Sequence, residues 1–409
     1  MNNRRAAVNF VLVTALLDIM ALGLIIPVQP KLVEEFLGGD TRQGAVVFGL
    51  MATGWALMQL IFQPILGALS DRYGRRPVLL FSNLGLGLDY ILMAMAPSLA
   101  WLVVGRLLSG IAAATFSTAN AYIADVTPPE RRAAEFGKIG VAFGIGFALG
   151  PALGGVLGAA DPRLPFWVAA GFSLLNALYG YFILPESLPP EHRRPFRLRA
   201  ANPITAMTIL TRDRVMISVS ATLFLYALAN TAPPALFVFY ASHRYGWTSV
   251  ETGYALAFAA VCLAIVQSSL IGPVTARLGA RLTLIVGLGA GATGFLLQAA
   301  ATTPPLFLAG FAVFALWGFI GPAAQHMLTA RIGPDEQGHL QGAQGSVTSI
   351  ANLAGPLLFT SVFSWSIGAS QPEWMSGAAY TIAATCLLLG ALIVAAGTRP
   401  DRKRTASAG

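Results

Sequence analysis

The sequence predicts an all-α polytopic membrane protein with 12 transmembrane helices. Of its 409 residues, 56% are hydrophobic and only 11% are charged, whereas an ordinary soluble domain has about 25% charged residues. Apolar runs of the roughly 20 residues needed to cross a bilayer recur along the whole chain. Its basic residues are also distributed asymmetrically between these runs. These observations exclude a soluble globular class.

The twelve spans can be placed in order from the apolar runs and the polar turns between them. We expect them at roughly 7–28, 45–70, 77–96, 100–123, 136–159, 165–184, 214–240, 250–272, 281–301, 304–330, 340–366 and 374–397. With a cytoplasmic N-terminus, 21 of the 26 Lys and Arg residues lie on the cytoplasmic side. This asymmetry follows the positive-inside rule. The net charge of +8 therefore reflects topology, and no nucleic-acid partner is expected.

The chain divides into two halves that repeat each other. Residues 185–213 form its one long polar interruption, which indicates a cytoplasmic linker between six-helix bundles at 1–184 and 214–409. Several positions recur 205 residues later: Gly67, Gly74, Arg76 and Gly150-Pro151 as Gly272, Gly279, Arg281 and Gly355-Pro356. Matches at one common offset indicate duplication, and parallel repeats around a central cavity are typical of transporters.

Intramembrane charge is confined to the first half of the chain. The positions 205 residues after Asp18, Asp89 and Arg106 hold uncharged residues, namely Leu223, Gly294 and Phe311. We therefore expect the first bundle to carry ion coupling and the second mainly to shape a substrate cavity. The expected cavity residues are Gln59, Gln267, Gln325, His326 and Gln344.

Asp18 and Asp89 are the strongest candidates for proton coupling. Each lies eleven or twelve residues into its predicted span, which at 1.5 Å per residue is about 17 Å deep, near the bilayer midplane. An aspartate at that depth costs about 2.5–3.5 kcal/mol. A carboxyl group whose hydration changes can load and release a proton. The alternative role is a structural hydrogen bond to a neighbouring helix.

Arg106 lies about six residues into the fourth predicted span. A guanidinium group in the membrane is expected to pair with an acid or to influence one through its electric field. Arg106 is therefore placed with the proton-coupling residues. A purely structural cation is the alternative.

A charged turn separates the second and third predicted spans. Its candidate gating residues are Gly67, Asp71, Arg72, Gly74, Arg75 and Arg76. Asp71 can accept hydrogen bonds from a helix N-terminus or pair with the arginines, and Asp125 at the end of span 4 is a second acid for this network. Such a turn can latch two moving bundles, although its arginines also anchor the topology.

The fifth predicted span contains a run of small residues around one proline. Its members are Gly146, Gly150, Pro151, Gly154 and Gly155. Small residues allow helices to approach closely, and proline leaves a bend that can serve as a hinge.

These patterns resemble the major facilitator superfamily. Residues 67–76 match G-x-x-x-D-R-x-G-R-R of its loop between spans 2 and 3, residues 105–110 its span-four motif, and residues 146–155 its antiporter motif G-x-x-x-G-P-x-x-G-G. Blocks around Asp18, Asp89 and Asp125 and across residues 337–359 resemble the 12-span tetracycline efflux proteins. The resemblance implies the major facilitator fold and export of metal-chelated tetracycline in exchange for a proton, with Asp18 and Asp89 essential.

Two positions depart from the tetracycline efflux pattern. This chain has Gly291 where the family has a span-nine aspartate, and Leu263 where it has a span-eight histidine. Both departures concern the handling of a magnesium–drug cation, so another amphipathic drug remains an alternative substrate.

The remaining expectations follow from this interpretation. A facilitator or symporter of another small solute would share the fold, whereas an enzyme would need a cluster of reactive groups that the sequence lacks. We expect no cofactor or resident metal, protons as the coupling ion, Cys262 and Cys386 in apolar packing, and a functional monomer. The expected location is the bacterial inner membrane, with both termini cytoplasmic.

Overall fold

The computed structural model describes residues 2–112, 115–127, 129–193, 207–333 and 336–398. Within these ranges the secondary structure is helical, and no strand occurs in them. Linker residues 194–206 and the C-terminal residues 399–409 lie outside the described ranges. The chain is therefore all-α, as its composition predicts.

The first half forms six spans. Their helices are Asn2–Ile25 with Gln29–Phe36 for span 1, Thr41–Tyr73 for span 2, Arg75–Ala94 for span 3, Leu99–Ala112 with Thr115–Val126 for span 4, Pro129–Ala160 for span 5 and Leu164–Ile183 for span 6. Several helices continue beyond the predicted apolar runs. Span 2, for example, starts four residues earlier than residue 45, because Asp40 caps it by accepting hydrogen bonds from the N–H groups of Arg42 and Gln43.

The second half forms six more spans. Span 7 consists of Arg214–Asn230 with Ala232–Tyr245, spans 8 and 9 share the helical run Ser249–Ala300, span 10 consists of Pro304–Phe314, the 3-10 segment Ala315–Phe319 and Ile320–Thr329, span 11 is Gln337–Ser366, and span 12 is Ala378–Gly397. Ten helical segments of the described chain are long and apolar enough to cross a membrane. Counting the shared run as two spans and adding span 4, which has the shorter apolar helix Leu99–Ala112, confirms the prediction of twelve.

The turn between spans 8 and 9 is tighter than the sequence predicts. Residues 273–280 are expected as a loop, but the helix Ile271–Ala300 runs through them with one break at Gly279 (φ 73°, ψ 160°). Gly74, 205 residues earlier, has φ 105° and ψ 164° between spans 2 and 3. Positive φ favours glycine. The two halves therefore turn at the same repeat position with a similar backbone conformation.

The arginines that follow these two glycines make similar contacts, each to a carbonyl near the end of the last span of its half, although the two acceptors are 214 and not 205 residues apart. Arg76 Nη2 donates to Tyr181 O at the end of span 6 at 2.6 Å. Arg281 Nη2 donates to Ala395 O near the end of span 12 at 3.1 Å. A cation is favourable where a helix leaves carbonyl groups without partners. The contacts support the internal duplication that the sequence indicates.

Asp213 begins span 7 as an N-cap residue. It accepts hydrogen bonds from the N–H groups of Val215 and Met216 at 2.7 and 2.9 Å, and it pairs with Arg331 at 3.1 Å. Burial acts to raise the pKa of Asp213, but these hydrogen bonds and the nearby guanidinium hold that pKa below its usual range.

The chain forms two compact units. Unit 1 comprises Met1–Ala201, Pro234–Val261 and Pro356–Gln371, and unit 2 comprises Asn202–Pro233, Cys262–Gly355 and Pro372–Gly409. In unit 1, span 1 packs on spans 5 and 6, span 3 packs on span 6, and span 2 packs on span 4. In unit 2, span 12 packs on the first part of span 7 and on span 9, which also contacts span 10. The two-bundle division at 185–213 stays a prediction.

Spans 1 and 5 approach each other through glycines. A methyl group on Gly150 would lie 2.9 Å from the Cα atom of Gly23, and one on Gly154 would overlap the carbonyl oxygen of Leu24. Between membrane helices, such close packing replaces the hydrophobic drive available in water. The run of small residues in span 5 therefore packs closely against span 1, as the sequence predicts.

We expect Gly154→Ala to destabilise the protein, because overpacking of this kind typically costs about 1–3 kcal/mol. The matched control is Gly144→Ala in the same helix, where an added methyl group has no atom within 4 Å. Thermal unfolding in detergent should show a Tm several degrees lower for Gly154→Ala and an unchanged or higher Tm for the control. Equal Tm values for the two variants would contradict this packing.

Candidate functional site

Asp18 is buried inside unit 1 and is held by a side chain from span 6. Its exposed fraction is 8%. Asn176 Nδ2 donates to Asp18 Oδ1 at 3.2 Å, and Asn176 Oδ1 in turn accepts a hydrogen bond from Thr14 at 3.0 Å. Asp18 Oδ2 has no hydrogen-bond partner among the described residues. The described contacts therefore hold one carboxyl oxygen through an amide and leave the other without a partner.

The sequence analysis missed Asn176. Asn176 and Thr14 are both buried, and an amide in the middle of the predicted span 6 is costly unless it is hydrogen-bonded. That cost is the signal that could have singled it out. Its partner could not be identified from sequence, because 158 residues separate Asn176 from Asp18.

Asp89 is buried at the contact between spans 3 and 4. Its exposed fraction is 3%, and neither carboxyl oxygen has a hydrogen-bond partner among the described residues. The backbone of span 4 comes close at Gly105, where an added methyl group would lie 2.9 Å from Asp89 Oδ1. A glycine at this position thus leaves the space that the carboxyl group occupies.

Arg106 lies next to this contact and interacts electrostatically with Asp89. No carboxylate of the described part of the chain lies within ion-pair distance of it. Its guanidinium carbon instead stands 5.1 Å from the centre of the Trp55 ring, a cation–π contact. Of the two predicted modes, a direct ion pair does not occur among the described residues, and an action through the electric field stays a prediction.

Arg75 is the centre of the charged turn between spans 2 and 3. Its guanidinium group pairs with Asp71 at 2.6 Å and with Asp125 at 3.2 Å, and it donates to Ser70 Oγ at 3.0 Å. Of the alternatives for Asp71, the structure shows pairing with an arginine. Arg72 points elsewhere and lies 5.0 Å from the ring centre of Tyr73.

Glu186 also belongs to this turn, and the sequence analysis missed it. Its carboxylate accepts hydrogen bonds from the N–H groups of Arg75 and Arg76 at 2.8 and 3.3 Å, so it caps the N-terminus of span 3. A methyl group on Gly74 would overlap this carboxylate. The sequence feature that could have identified Glu186 is an acidic residue directly after span 6, at the start of the linker.

Residues next to Glu186 secure the same arrangement. Ser187 Oγ donates to Asp125 Oδ2 at 3.1 Å, and Tyr122 donates to Pro185 O at 2.8 Å. The start of the linker is thus tied to span 4 as well as to the turn. Gly67, in contrast, has open space around it.

The glycine run of span 5 has contacts on two sides within unit 1. A methyl group on Gly146 would lie 2.9 Å from Ile19 of span 1, whereas one on Gly155 would overlap the carbonyl oxygen of Ser249 at the start of span 8. Pro151 lies inside this helix, and its carbonyl oxygen occupies the space beside Gly253. The run therefore packs span 5 between spans 1 and 8.

Unit 2 contains a cavity of about 200 Å³ between spans 7, 10 and 11. Gln325 and Gln344 line it, whereas Gln59, Gln267 and His326 are not among its lining residues. Polar side chains that the cavity prediction did not include also line it: Ser220, Tyr226, Asn230, Thr348 and Asn352. These five residues can be assigned to the cavity only when spans 7, 10 and 11 are known to lie next to each other. Their spacing along the chain does not predict that proximity.

The two departures from the tetracycline efflux pattern lie next to the same part of span 10. A methyl group on Gly291 would lie 2.9 Å from Leu387 and 3.2 Å from Trp317. A methyl group on Gly318 would lie 3.2 Å from Leu263. Both positions thus adjoin the 3-10 segment Ala315–Phe319. Cys262 and Cys386 are free cysteines, half-buried and buried respectively.

Comparison with known proteins agrees with this arrangement of twelve spans and motifs. The family model of the Major Facilitator Superfamily matches residues 11–269. The chain belongs to the major facilitator superfamily. It is therefore a multi-pass membrane transporter of small molecules and not an enzyme.

Similar members of the superfamily include drug resistance proteins. The class C tetracycline resistance protein of Escherichia coli is 38% identical over 383 residues, covering 94% of this chain and 95% of its own. The class B protein of Escherichia coli is 33% identical over 369 residues, covering 90% of each. The tetracycline resistance family recognised from the motifs is thereby confirmed.

Solved structures share the fold of this major facilitator protein. That of the human organic anion transporter MFSD10 (TETRAN) is 26% identical with a TM-score of 0.70, covering 96% of this chain and 99% of its own. That of the nucleoside transporter NupG has a TM-score of 0.79 at 13% identity, covering 98% and 100%. The latter likeness concerns the fold alone.

We expect Glu186→Ala to destabilise the turn between spans 2 and 3, because loss of a helix cap typically costs about 0.5–2 kcal/mol. Thermal unfolding should show a lower Tm for this variant. The control is Glu191→Ala, an exposed acid five residues further along the linker, which should leave the Tm unchanged. An unaltered Tm for Glu186→Ala would show that the cap contributes nothing.

Proposed function

We propose that this transporter exports tetracycline-type or other amphipathic drugs by alternating access, in exchange for protons. The proposed site of action is the bacterial inner membrane, with both termini in the cytoplasm and the monomer as the functional unit. The names of the relatives support a drug as substrate. No resident cofactor or metal is needed for this mechanism, and magnesium would enter only as part of a drug chelate.

The observation that supports the proposal is the burial of two carboxyl groups that form no ion pair with any described residue. Asp18 and Asp89 are buried in spans 1 and 3, and neither forms an ion pair with a described residue. An unpaired carboxylate in apolar surroundings is costly, whereas a neutral carboxylic acid is not. A conformational change that admits water to such a group therefore changes its protonation, as antiport requires.

The contacts of each group suggest different parts in this exchange. Asp18 keeps one oxygen on Asn176 and has Oδ2 free for the proton. Among the described residues, neither oxygen of Asp89 has a hydrogen-bond partner and the nearby Arg106 forms no ion pair. Movement of the guanidinium away from Trp55 would change the field at Asp89 and thus its affinity for a proton.

The charged turn supplies the proposed latch. Breaking the pairs of Arg75 with Asp71 and Asp125 would release span 2 from span 4, since the three residues connect these helices. On the face predicted to be periplasmic, contacts within unit 1 join the two halves of the sequence: Arg42 donates to Ser364 O at 3.1 Å and Lys31 to Trp247 O at 2.9 Å. Alternating access requires contacts of both kinds to break and re-form.

The energy available from protons is sufficient for drug export. One charge that crosses 100 mV releases about 2.3 kcal/mol, and each pH unit adds about 1.4 kcal/mol. One proton at about 150 mV can therefore sustain a gradient of a few hundred-fold for a neutral drug. For a monocationic drug exchanged with one proton, only the pH difference contributes.

We expect Asp18→Asn and Asp89→Asn each to abolish uptake of tetracycline driven by an imposed pH gradient in inverted vesicles. The amide keeps the size of the side chain but cannot carry the exchanged proton. Asp161→Asn, which alters an exposed loop residue, should transport normally and serves as the control. Unchanged coupling in both Asp18→Asn and Asp89→Asn would rule out the proton-carrier role.

A further inference from the structure

Thr14, Asp18 and Asn176 form a buried chain of hydrogen bonds in unit 1. Thr14 and Asp18 are four residues apart in the helix Asn2–Ile25, so their side chains lie on one face of span 1. The Asn176 amide of span 6 contacts both: its Oδ1 accepts from Thr14 at 3.0 Å, and its Nδ2 donates to Asp18 at 3.2 Å. The exposed fractions of Thr14 and Asn176 are 1% and 0%. Bulk water therefore does not compete for these hydrogen bonds.

The hydroxyl group of Thr14 favours one orientation of this amide. An ionised carboxyl group only accepts hydrogen bonds, whereas an amide has a donor end and an acceptor end. Because Thr14 donates to the acceptor end, the N–H group of Asn176 is directed to Asp18. The opposite orientation would bring the amide oxygen next to a carboxylate oxygen, and two acceptors repel each other.

A donor in this position favours the ionised form of Asp18. A hydrogen bond to a charged carboxylate is stronger than one to a neutral acid, and more so inside a protein than in water. Burial has the opposite effect, because the charged form loses its hydration. Among the described side chains, Asn176 is the one that donates to Asp18. The amide thus offsets part of the cost of ionising a buried carboxyl group.

The helices around Asp18 leave this task to the amide. Span 1 packs mainly on spans 5 and 6, and these spans contain no charged residue at positions 139–160 and 164–183. No described cation forms an ion pair with Asp18. Hydrogen bonding, and not a counter-ion, therefore decides how readily this carboxyl group gives up a proton.

The other titratable groups near span 1 belong to spans 3 and 4. Tyr90 of span 3 interacts electrostatically with Asp18. The second helix of span 4 also packs on span 1, but its Tyr122 donates to Pro185 O and its Asp125 pairs with Arg75 in the cytoplasmic turn. These contacts hold the groups of span 4 away from the carboxyl group.

We propose that Asn176 is a positioning residue that enables Asp18 to release its proton, and that Thr14 orients its amide. The inference rests on the proposed proton exchange and names the residues that control it at Asp18. The proton binds Asp18 from water and leaves it to water, so the amide itself carries no proton. Its part is to stabilise the carboxylate that remains after release.

The pH dependence of transport in inverted vesicles provides the first test, with tetracycline as the probe and a constant pH difference across the membrane. Asn176→Leu keeps the approximate volume of the side chain but removes the donor, so Asp18 should hold its proton to a higher pH. The pH of half-maximal uptake should rise by about one pH unit, a tenfold change in proton affinity.

The matched control for this variant is Ser173→Ala, three residues earlier in span 6. Ser173 is buried, and its Oγ has no hydrogen-bond partner among the described residues. Its pH profile should coincide with that of the unaltered protein. A half-maximal pH that is the same in Asn176→Leu as in this control would overturn the inference.

Thr14 is tested by a pair of substitutions. Thr14→Val removes the hydroxyl group and keeps the shape, so the half-maximal pH should rise, by less than in Asn176→Leu. Thr14→Ser keeps the hydroxyl group and should retain the original profile. Thr283→Val removes a buried hydroxyl group that donates to Gly279 O in span 9, and it should leave the profile unchanged. Equal profiles for Thr14→Val and Thr14→Ser would show that the hydroxyl group does not orient the amide.

Infrared titration of the purified transporter examines Asp18 without transport. The C=O stretching band of its protonated form is identified by its absence in Asp18→Asn. In Asn176→Leu this band should move to higher wavenumber, because the carboxyl group loses its hydrogen bond, and it should persist to a pH about one unit higher. If these changes occur but the unaltered protein shows no pH-driven drug uptake, the inference stands and the proposed export function fails. A band unchanged in wavenumber and pH range would overturn the inference, whether or not the drug is exported.

Discussion

The cost of placing an unpaired charge inside the membrane is the constraint on which the rest of this structure depends. This cost applies to Asp18 in span 1 and to Asp89 in span 3. Both spans pack on span 6, and span 6 contributes Asn176 as the hydrogen-bond partner of Asp18. An amide can hydrogen-bond a carboxyl group in either protonation state, whereas a bound cation would favour only the charged one. The environment of Asp18 therefore suits a group that must exist in both forms.

Helix packing fixes where that group lies. The glycines of span 5 pack against the part of span 1 that directly follows Asp18. Gly146 contacts Ile19, and Gly150 contacts Gly23. Membrane helices gain little from burying apolar surface, so van der Waals contact between small residues has to supply the association. The glycine run that resembles an antiporter motif is thus mechanically connected to the carboxyl group. A shift of span 5 along this contact would also move Asp18.

The sequence predicts those features that depend on local composition or on fixed spacing. Twelve apolar runs gave the spans, and a 205-residue offset gave Gly74 and Gly279, which share a positive φ. Asn176, Glu186 and Tyr226 were missed because their roles arise from partners on other helices: Glu186 caps a helix that begins 111 residues earlier. The helical continuation through residues 273–280 was missed because one glycine can reverse the chain where a polar loop was expected.

Duplication preserved the backbone of the two halves more strictly than their chemistry. The turns at Gly74 and Gly279 and the contacts of Arg76 and Arg281 persist in both halves, because they determine how consecutive helices meet. Asp18 takes no part in these turns, and its repeat partner Leu223 lines a cavity whose other described lining residues are uncharged. A charge kept in both halves would have paired with a cationic drug as readily as with a proton. On the proposed function, confinement of the carboxyl groups to the first half would place proton exchange in unit 1.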